Sequence, residues 1–167
     1  MTTRFVIVGA ARTGSTLLVK TLNTLDGVRC HGELLGPDNV RGYEDGFDLV
    51  AATQDERVAR GQRLLRERTA NPVAFIDNAL NNERATSGFK ALYSAFLDAR
   101  WQAVFDHLRA TGEVRFIHLM RGNALRRYIS EQVLLAGGPN HSGAGGRSET
   151  AIQIHVDIED FLRKTAE

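Results

Sequence analysis

Residues 6–18, with the sequence VIVGAARTGSTLL, constrain the fold more than any other part of the chain. A short apolar run enters a turn that contains Gly9 and Gly14, and leucines at helical spacing follow it. The two glycines have the spacing of the phosphate-binding P-loop, G-x-x-x-x-G-K-[ST], but Ser15 stands where that motif has its lysine. In a strand–turn–helix unit, backbone N–H groups and the helix dipole converge on one spot. The segment therefore predicts a site for a phosphate-like anion.

Strand patterns alternate with helix patterns along the rest of the chain. The predicted strands are residues 4–9, 28–33, 89–93 and 114–120, and the first and last of them read as buried. The predicted helices are residues 15–25, 56–68, 95–111, 124–136 and 157–166, with Asp157 as the N-cap of the last. Residues 36–48 and 137–147 are predicted as loops. The alternation predicts a single α/β domain over residues 1–167, three-layer α/β/α and P-loop NTPase-like, with a central parallel sheet.

The composition excludes several classes of protein. The chain has 167 residues and a net charge of +1, which argues against a general binder of nucleic acid or other polyanions. Its one cysteine, Cys30, excludes an internal disulfide framework and a cysteine-based zinc site. The sequence shows neither an apolar run long enough to span a membrane nor a signal peptide. It therefore predicts a cytoplasmic protein without a membrane partner.

Side chains in the turn indicate which anion it would bind. Arg12 can contact an anion as a planar fork, and Thr13, Ser15 and Thr16 add hydroxyl donors. A P-loop NTPase also needs magnesium, which is held partly by an acidic residue at the end of another strand. Here the last predicted strand is followed by Arg121, which repels a metal ion and attracts a second anion. The sequence therefore predicts two anion sites and no metal.

The second anion site is predicted in residues 118–132, HLMRGNALRRYISEQ. Arg121 leaves the strand, and Arg126 and Ser130 lie one helical turn apart on the next helix, so they can share a face. Arg127 adds a further guanidinium group. Parallel sheets bind ligands at the carboxyl ends of their strands, and both segments lie at such ends.

The two segments together resemble the motifs of sulfotransferases that use 3′-phosphoadenosine 5′-phosphosulfate (PAPS), most closely the bacterial, carbohydrate-type members. GAARTGSTLL, residues 9–18, is similar to the family's 5′-phosphosulfate loop, in which a Lys or Arg precedes a [ST]-G-[ST]-[ST] turn. LMRGNALRRYIS, residues 119–130, is similar to its 3′-phosphate motif, an Arg and a Ser separated by one strand-to-helix turn. CHGELLG, residues 30–36, resembles the G-E segment that often follows the loop helix.

The resemblance implies transfer of a sulfuryl group from PAPS to a hydroxyl group of a carbohydrate or small metabolite, with PAPS as co-substrate and no metal. It implies that the first motif binds the 5′-phosphosulfate through Arg12, Thr13, Gly14, Ser15 and Thr16. It also implies that Arg121 and Ser130 bind the 3′-phosphate. Many members have this arginine one position later in the motif, so Arg126 and Arg127 are alternative contacts.

Three further roles follow from the resemblance. Arg12 would stabilise the charge that develops on the leaving phosphate. Glu33 stands where some bacterial members place a glutamate base, so we expect it to be the general base, with His31 as the fallback. Lys90, which ends a strand, would contact the sulfonate; its alternative role is that of a solvated strand-end lysine.

Two other functions remain open at the level of the sequence. The G-x4-G spacing also suits a P-loop NTPase or small-molecule kinase. The family usually continues through another strand and a basic loop, so we expect this chain to lack that C-terminal part. It could then be a catalytically inactive nucleotide-binding domain, and a sheet edge left exposed would favour homo-oligomers. We expect residues 36–48 and 137–147 to contact the acceptor.

Overall fold

A four-stranded parallel sheet forms the centre of the fold in the computed structural model, which describes residues 3–137 and 153–165. The strands are β1 (Thr3–Gly9), β2 (Val28–Glu33), β3 (Thr86–Leu92) and β4 (Val114–Leu119). Their order across the sheet is β2-β3-β1-β4, so β1 lies between β3 and β4 and pairs with both. The predicted α/β fold with a parallel sheet is confirmed.

Seven α-helices accompany the strands in the described residues, and some of them pack on the two faces of the sheet. The helices are α1 (Ser15–Leu22), α2 (Gln54–Ala70), α3 (Pro72–Leu80), α4 (Tyr93–Leu97), α5 (Gln102–Ala110), α6 (Ala124–Leu135) and α7 (Ile158–Thr165). Phe5 and Ile7 of β1 pack with Val19 of α1 on one face. Val6, on the opposite face, belongs to the larger core that α2, α3 and α5 help to form. Alternate residues of a strand point to opposite faces, so β1 contributes to both cores.

Two predicted helices differ in the structure, in each case because a polar residue turns the chain. The first ends at Leu22 and not at residue 25, and the side chain of Asn23 binds both backbone groups of Cys30 at 2.7 Å. The helix predicted over residues 95–111 is interrupted at Asp98, which has extended backbone and caps a short 3₁₀ turn, Ala99–Trp101. Helix α3 was not predicted, although Asn71 and Pro72 form a normal helix start.

The prediction that residues 114–120 form a buried strand is wrong with respect to burial. Strand β4 forms as expected, but Phe116 and Ile117 are 43% and 41% exposed on opposite faces. The reason is position in the sheet, because β4 pairs only with β1 in the described part of the chain. An apolar strand sequence does not distinguish a central strand from an edge strand.

The chain divides into two compact units. The first contains the described residues up to Ala10 and Gly14–Leu119, and the second contains Ala11–Thr13 and the described residues from Met120 onwards. The single domain over residues 1–167 therefore stays a prediction. None of the helices described here combines the length and hydropathy needed to cross a membrane.

Within the second unit, α6 packs against α7. The rings of Tyr128 and Phe161 meet edge to face with centroids 5.5 Å apart, and the Tyr128 hydroxyl donates to Asp160 at 3.1 Å. Asp157 accepts a hydrogen bond from the Asp160 backbone at 3.0 Å, which confirms it as the N-cap of α7. The loop predicted at residues 137–147 lies, apart from Gly137, outside the described residues.

Candidate functional site

The turn after β1 ends in a helix start that has no side-chain cap. Gly14 is the N-cap of α1 with φ +91°, a backbone conformation that favours glycine, and it offers no side-chain acceptor. Helices α2, α3 and α6, by contrast, begin at residues whose side chains accept a first-turn N–H. The first N–H groups of α1 thus keep the partial positive charge that an anion neutralises.

Three of the predicted site residues meet inside the first unit. Lys90 lies in β3 opposite Ile7, with its side chain only 8% exposed. Its ammonium contacts the Glu33 carboxylate at 2.6 Å and donates to the Thr16 hydroxyl at 3.2 Å. Lys90 is therefore not a solvated strand-end lysine. We call Glu33, Lys90 and Thr16 the ammonium cluster.

A β-bulge brings Glu33 to this cluster. His31 pairs with Phe89, and the next pair is Glu33 with Lys90, so Gly32 is the extra residue of β2. A regular register would put Glu33 opposite Ala91, on the other face of the sheet, because side chains alternate. The bulge thus turns the carboxylate to the face on which Lys90 lies.

Three further predicted residues meet in the second unit. Arg12 has φ +64°, which is unusual for a residue with a side chain, and its Nε donates to the Ser130 hydroxyl at 3.0 Å. Arg121 donates from Nη1 to the carbonyl of Arg12, also at 3.0 Å. We call Arg12, Arg121 and Ser130 the arginine cluster. Two guanidinium groups and a hydroxyl close together favour binding of an anion with several oxygen atoms.

The two alternative arginines occupy other positions. Arg127 donates to the carbonyl of Lys164 in α7 at 2.8 Å, and so it links the two helices of the second unit. Arg126 is exposed, and its backbone N–H is capped by Asn123. Of the three arginines proposed for the second anion site, Arg121 is the one that contacts the loop carrying Arg12.

Residues 36–48, which we expected to contact the acceptor, form a loop that helix α2 braces. Arg68 of α2 is buried and donates to the carbonyls of Leu34, Gly36 and Asn39 at 2.7–2.9 Å. Arg60, about two helical turns earlier on the same helix, donates to the carbonyl of Tyr43 at 2.7 Å. The loop is thus fixed by side chains that its own sequence does not contain.

His31 does not have the geometry of a general base, which corrects its role as the fallback. The ring is 1% exposed, with Nε2 at 2.9 Å from the Ala79 carbonyl and Nδ1 accepting from the Glu44 backbone at 2.9 Å. Burial lowers the pKa of His31 to about 4, although the bond to Ala79 opposes this. His31 is a neutral structural residue that joins β2 to the braced loop.

The structure also shows polar and apolar features that the sequence analysis missed. Tyr93 and His118 form a hydrogen bond between the hydroxyl and Nε2, near the carboxyl ends of β3 and β4. A cavity of about 270 Å³ has an aromatic lining with two polar residues, namely Phe96, Gln102, Phe105, Arg109 and Phe116. The alternation in VRFIHL places Phe116 and His118 on one face, which was the available signal.

The two clusters supply complementary chemistry. The ammonium cluster offers a cation, a carboxylate able to accept a proton and a hydroxyl, whereas the arginine cluster offers two cations and a hydroxyl. The described residues contain no group of three or more His, Cys, Asp or Glu placed to hold a metal ion. Comparisons with protein-family models, with curated proteins and with solved structures find no match for this chain.

Proposed function

We propose that the protein transfers a sulfuryl group from PAPS to a hydroxyl acceptor, a carbohydrate or a small metabolite. One observation carries the proposal, the bond from Arg12 to Ser130. It joins the two motifs of the resemblance across 118 positions of sequence, and Arg12 itself has a backbone conformation that is unfavourable for arginine. Such strain persists where surrounding contacts fix it, and it is concentrated at functional sites.

The binding roles are those that the resemblance implies, and the charges of the residues support them. The first N–H groups of α1, with the side chains of Arg12, Thr13, Ser15 and Thr16, bind the 5′-phosphosulfate. Arg121 and Ser130 bind the 3′-phosphate, and Gly14 allows the backbone to approach the anion closely. The second phosphate explains why cationic residues follow β4 in place of an acidic one.

The chemical step is an in-line displacement at sulfur. The acceptor oxygen forms a bond to sulfur while the bond from sulfur to the 5′-phosphate oxygen breaks, and adenosine 3′,5′-bisphosphate leaves. Glu33 takes the proton of the acceptor hydroxyl, Lys90 contacts the sulfonate oxygens, and Arg12 stabilises the charge on the leaving phosphate. By analogy with phosphoryl transfer, position and electrostatics supply most of the catalysis.

Isothermal titration of the full chain with adenosine 3′,5′-bisphosphate, and with ATP plus magnesium as comparator, tests the proposal. We expect the bisphosphate to bind more tightly than ATP. We expect Arg12→Ala and Arg121→Ala each to weaken its binding by about 10- to 100-fold, the equivalent of one charge-assisted hydrogen bond. Arg66→Ala, which removes an exposed arginine of α2, should leave the affinity unchanged. Tighter binding of ATP, or no binding of the bisphosphate, contradicts the proposal.

One contact favours a P-loop NTPase or small-molecule kinase as the second candidate. The ammonium of Lys90 lies against Thr16, so a lysine reaches the start of α1 although the loop itself has none. Magnesium-dependent ATP hydrolysis that survives Arg12→Ala would support this candidate. Tight binding of the bisphosphate without any sulfuryl transfer would instead identify an inactive nucleotide-binding domain.

A further inference from the structure

The ammonium of Lys90 has two partners inside the first unit. In the structure it contacts the Glu33 carboxylate at 2.6 Å and the Thr16 hydroxyl at 3.2 Å. We propose that Glu33 and the donor's sulfonate compete for Lys90, so that donor binding draws Lys90 away and releases Glu33 to accept the acceptor's proton. This inference rests on the proposed function and adds to it a coupling between donor binding and the base.

The backbone around Glu33 and Lys90 is held in place, so the exchange of partners needs movement of side chains only. The backbone is held on both sides of Glu33, because the Glu33 carbonyl accepts from the Arg41 N–H at 3.0 Å and the Gly32 N–H donates to the Gly42 carbonyl at 2.8 Å. Lys90 stands in a strand that is paired on both sides. A lysine has a flexible four-carbon stem and three donors, so its ammonium can change partner without a change of backbone.

Thr16 gives the direction of that movement. It belongs to the first turn of α1, where the N–H groups attract an anion, and it already accepts from Lys90. A sulfonate bound at this helix start therefore lies within the reach of the same ammonium. A carboxylate accepts a proton more readily when no ammonium is bound to it, so the exchange activates Glu33 only when a donor is present.

The proposed step moves one proton and one sulfuryl group. Lys90 stays protonated throughout and exchanges one ionic contact for another. The acceptor hydroxyl gives its proton to Glu33, its oxygen bonds to sulfur, and the electron pair of the broken sulfur–oxygen bond stays on the 5′-phosphate. Glu33 then loses the proton to solvent, and Lys90 returns to it when the sulfate ester and the bisphosphate leave.

The Glu33→Gln variant distinguishes this coupling from a Glu33–Lys90 ion pair that only stabilises the fold. Removal of the competing charge should tighten PAPS binding by about tenfold while turnover falls by about 100-fold or more, because the base is lost. Affinity for adenosine 3′,5′-bisphosphate, which has no sulfonate, should change by less than about threefold. Lys90→Met should lower the affinity for PAPS to near the affinity for the bisphosphate, because the ammonium that contacts the sulfonate is removed.

The measurements are titration calorimetry with PAPS and with the bisphosphate, and release of bisphosphate from PAPS in the presence of a hydroxyl acceptor such as N-acetylglucosamine or 2-naphthol. Glu67→Gln is the matched control, because it removes a carboxylate that pairs with Arg63 on the exposed face of α2, and it should change none of these values. Thermal unfolding shows whether each variant is folded.

Two results separate the inference from the function on which it rests. If Glu33→Gln binds PAPS no more tightly than the unsubstituted chain, while the bisphosphate still binds, the coupling is wrong and the proposed function stands. If the bisphosphate binds to neither protein, the proposed function itself fails. Tighter PAPS binding by Glu33→Gln that Lys90→Met abolishes in the double variant supports the coupling.

Discussion

At the end of β2, a single glycine determines where the carboxylate of Glu33 points. A Cβ atom on Gly32 would lie 2.6 Å from the carbonyl oxygen of Arg41, closer than such atoms approach in proteins. The same glycine is the extra residue of the bulge that puts Glu33 opposite Lys90. The G-E dipeptide of the sequence thus has a physical basis, since only glycine permits the close approach of the crossing segment at the bulge.

Gly32→Ala should therefore destabilise the protein and disconnect the ammonium cluster. We expect a loss of about 1–3 kcal/mol in the free energy of unfolding, measured by urea denaturation, because backbone has to move to admit the methyl group. Gly61→Ala is the control of opposite sign. Gly61 lies in α2 with open space around its Cβ position, and alanine there should stabilise by about 0.5–1 kcal/mol. Equal stability of Gly32→Ala and the unsubstituted chain would refute the assigned role.

Among the elements, α2 has a role that its amphipathic sequence does not reveal. Most of its charged side chains face solvent, as expected, but Arg68 is buried under the loop that follows β2. Its guanidinium donates to three carbonyls and stacks on Trp101, with Cζ 4.7 Å from the ring centroid. Helix α2 therefore fixes a loop as well as covering the sheet.

Arg68→Met should show how much the contacts of Arg68 contribute to the stability of the fold. Methionine has a similar length but no donor, so three loop carbonyls would lose this partner. We expect the free energy of unfolding to fall by about 2–4 kcal/mol, measured by chemical denaturation. The neighbouring exposed arginine supplies the control, since Arg66→Met should change stability by less than about 0.5 kcal/mol. A small effect at Arg68 would mean that the loop holds its conformation unaided.

The sequence predicted elements well where one local pattern sufficed. Strand β2 was predicted with the bounds Val28–Glu33 that the structure has, and α6 to within one residue, because period and flanking turns define them. The split near Asp98 was not predicted, because one residue's extended backbone outweighs the helical spacing around it. The exposure of β4 was not predicted, because it depends on the strand order.

For the molecule as a whole, His31 links stability to pH. Its folded-state pKa, about 4, is below the ordinary 6.5, so the unfolded chain binds the proton more readily. Stability from neutral His31 is complete above pH 6.5 and is lost as pH falls from 6.5 to about 4. The loss amounts to about 3 kcal/mol, since each pKa unit corresponds to about 1.4 kcal/mol.

Urea denaturation at several pH values should resolve this dependence as the difference between the unsubstituted chain and His31→Gln. Glutamine does not titrate, so the variant should lack the part of the slope that His31 contributes between pH 6.5 and about 4. The same pH slope in His31→Gln and in the unsubstituted chain would contradict the assignment.

The sequence by itself determined the class of fold and the chemistry available at the loop. Apolar period, glycine position and helix starts are local properties, and they were enough to predict a parallel α/β sheet with an anion-binding turn after its first strand. The tertiary structure alone decided which of these residues meet. The bulge at Gly32 pairs Glu33 with Lys90, and the left-handed backbone of Arg12 goes with its contact to Ser130. Such contacts depend on strand register and loop crossing, which no local pattern encodes.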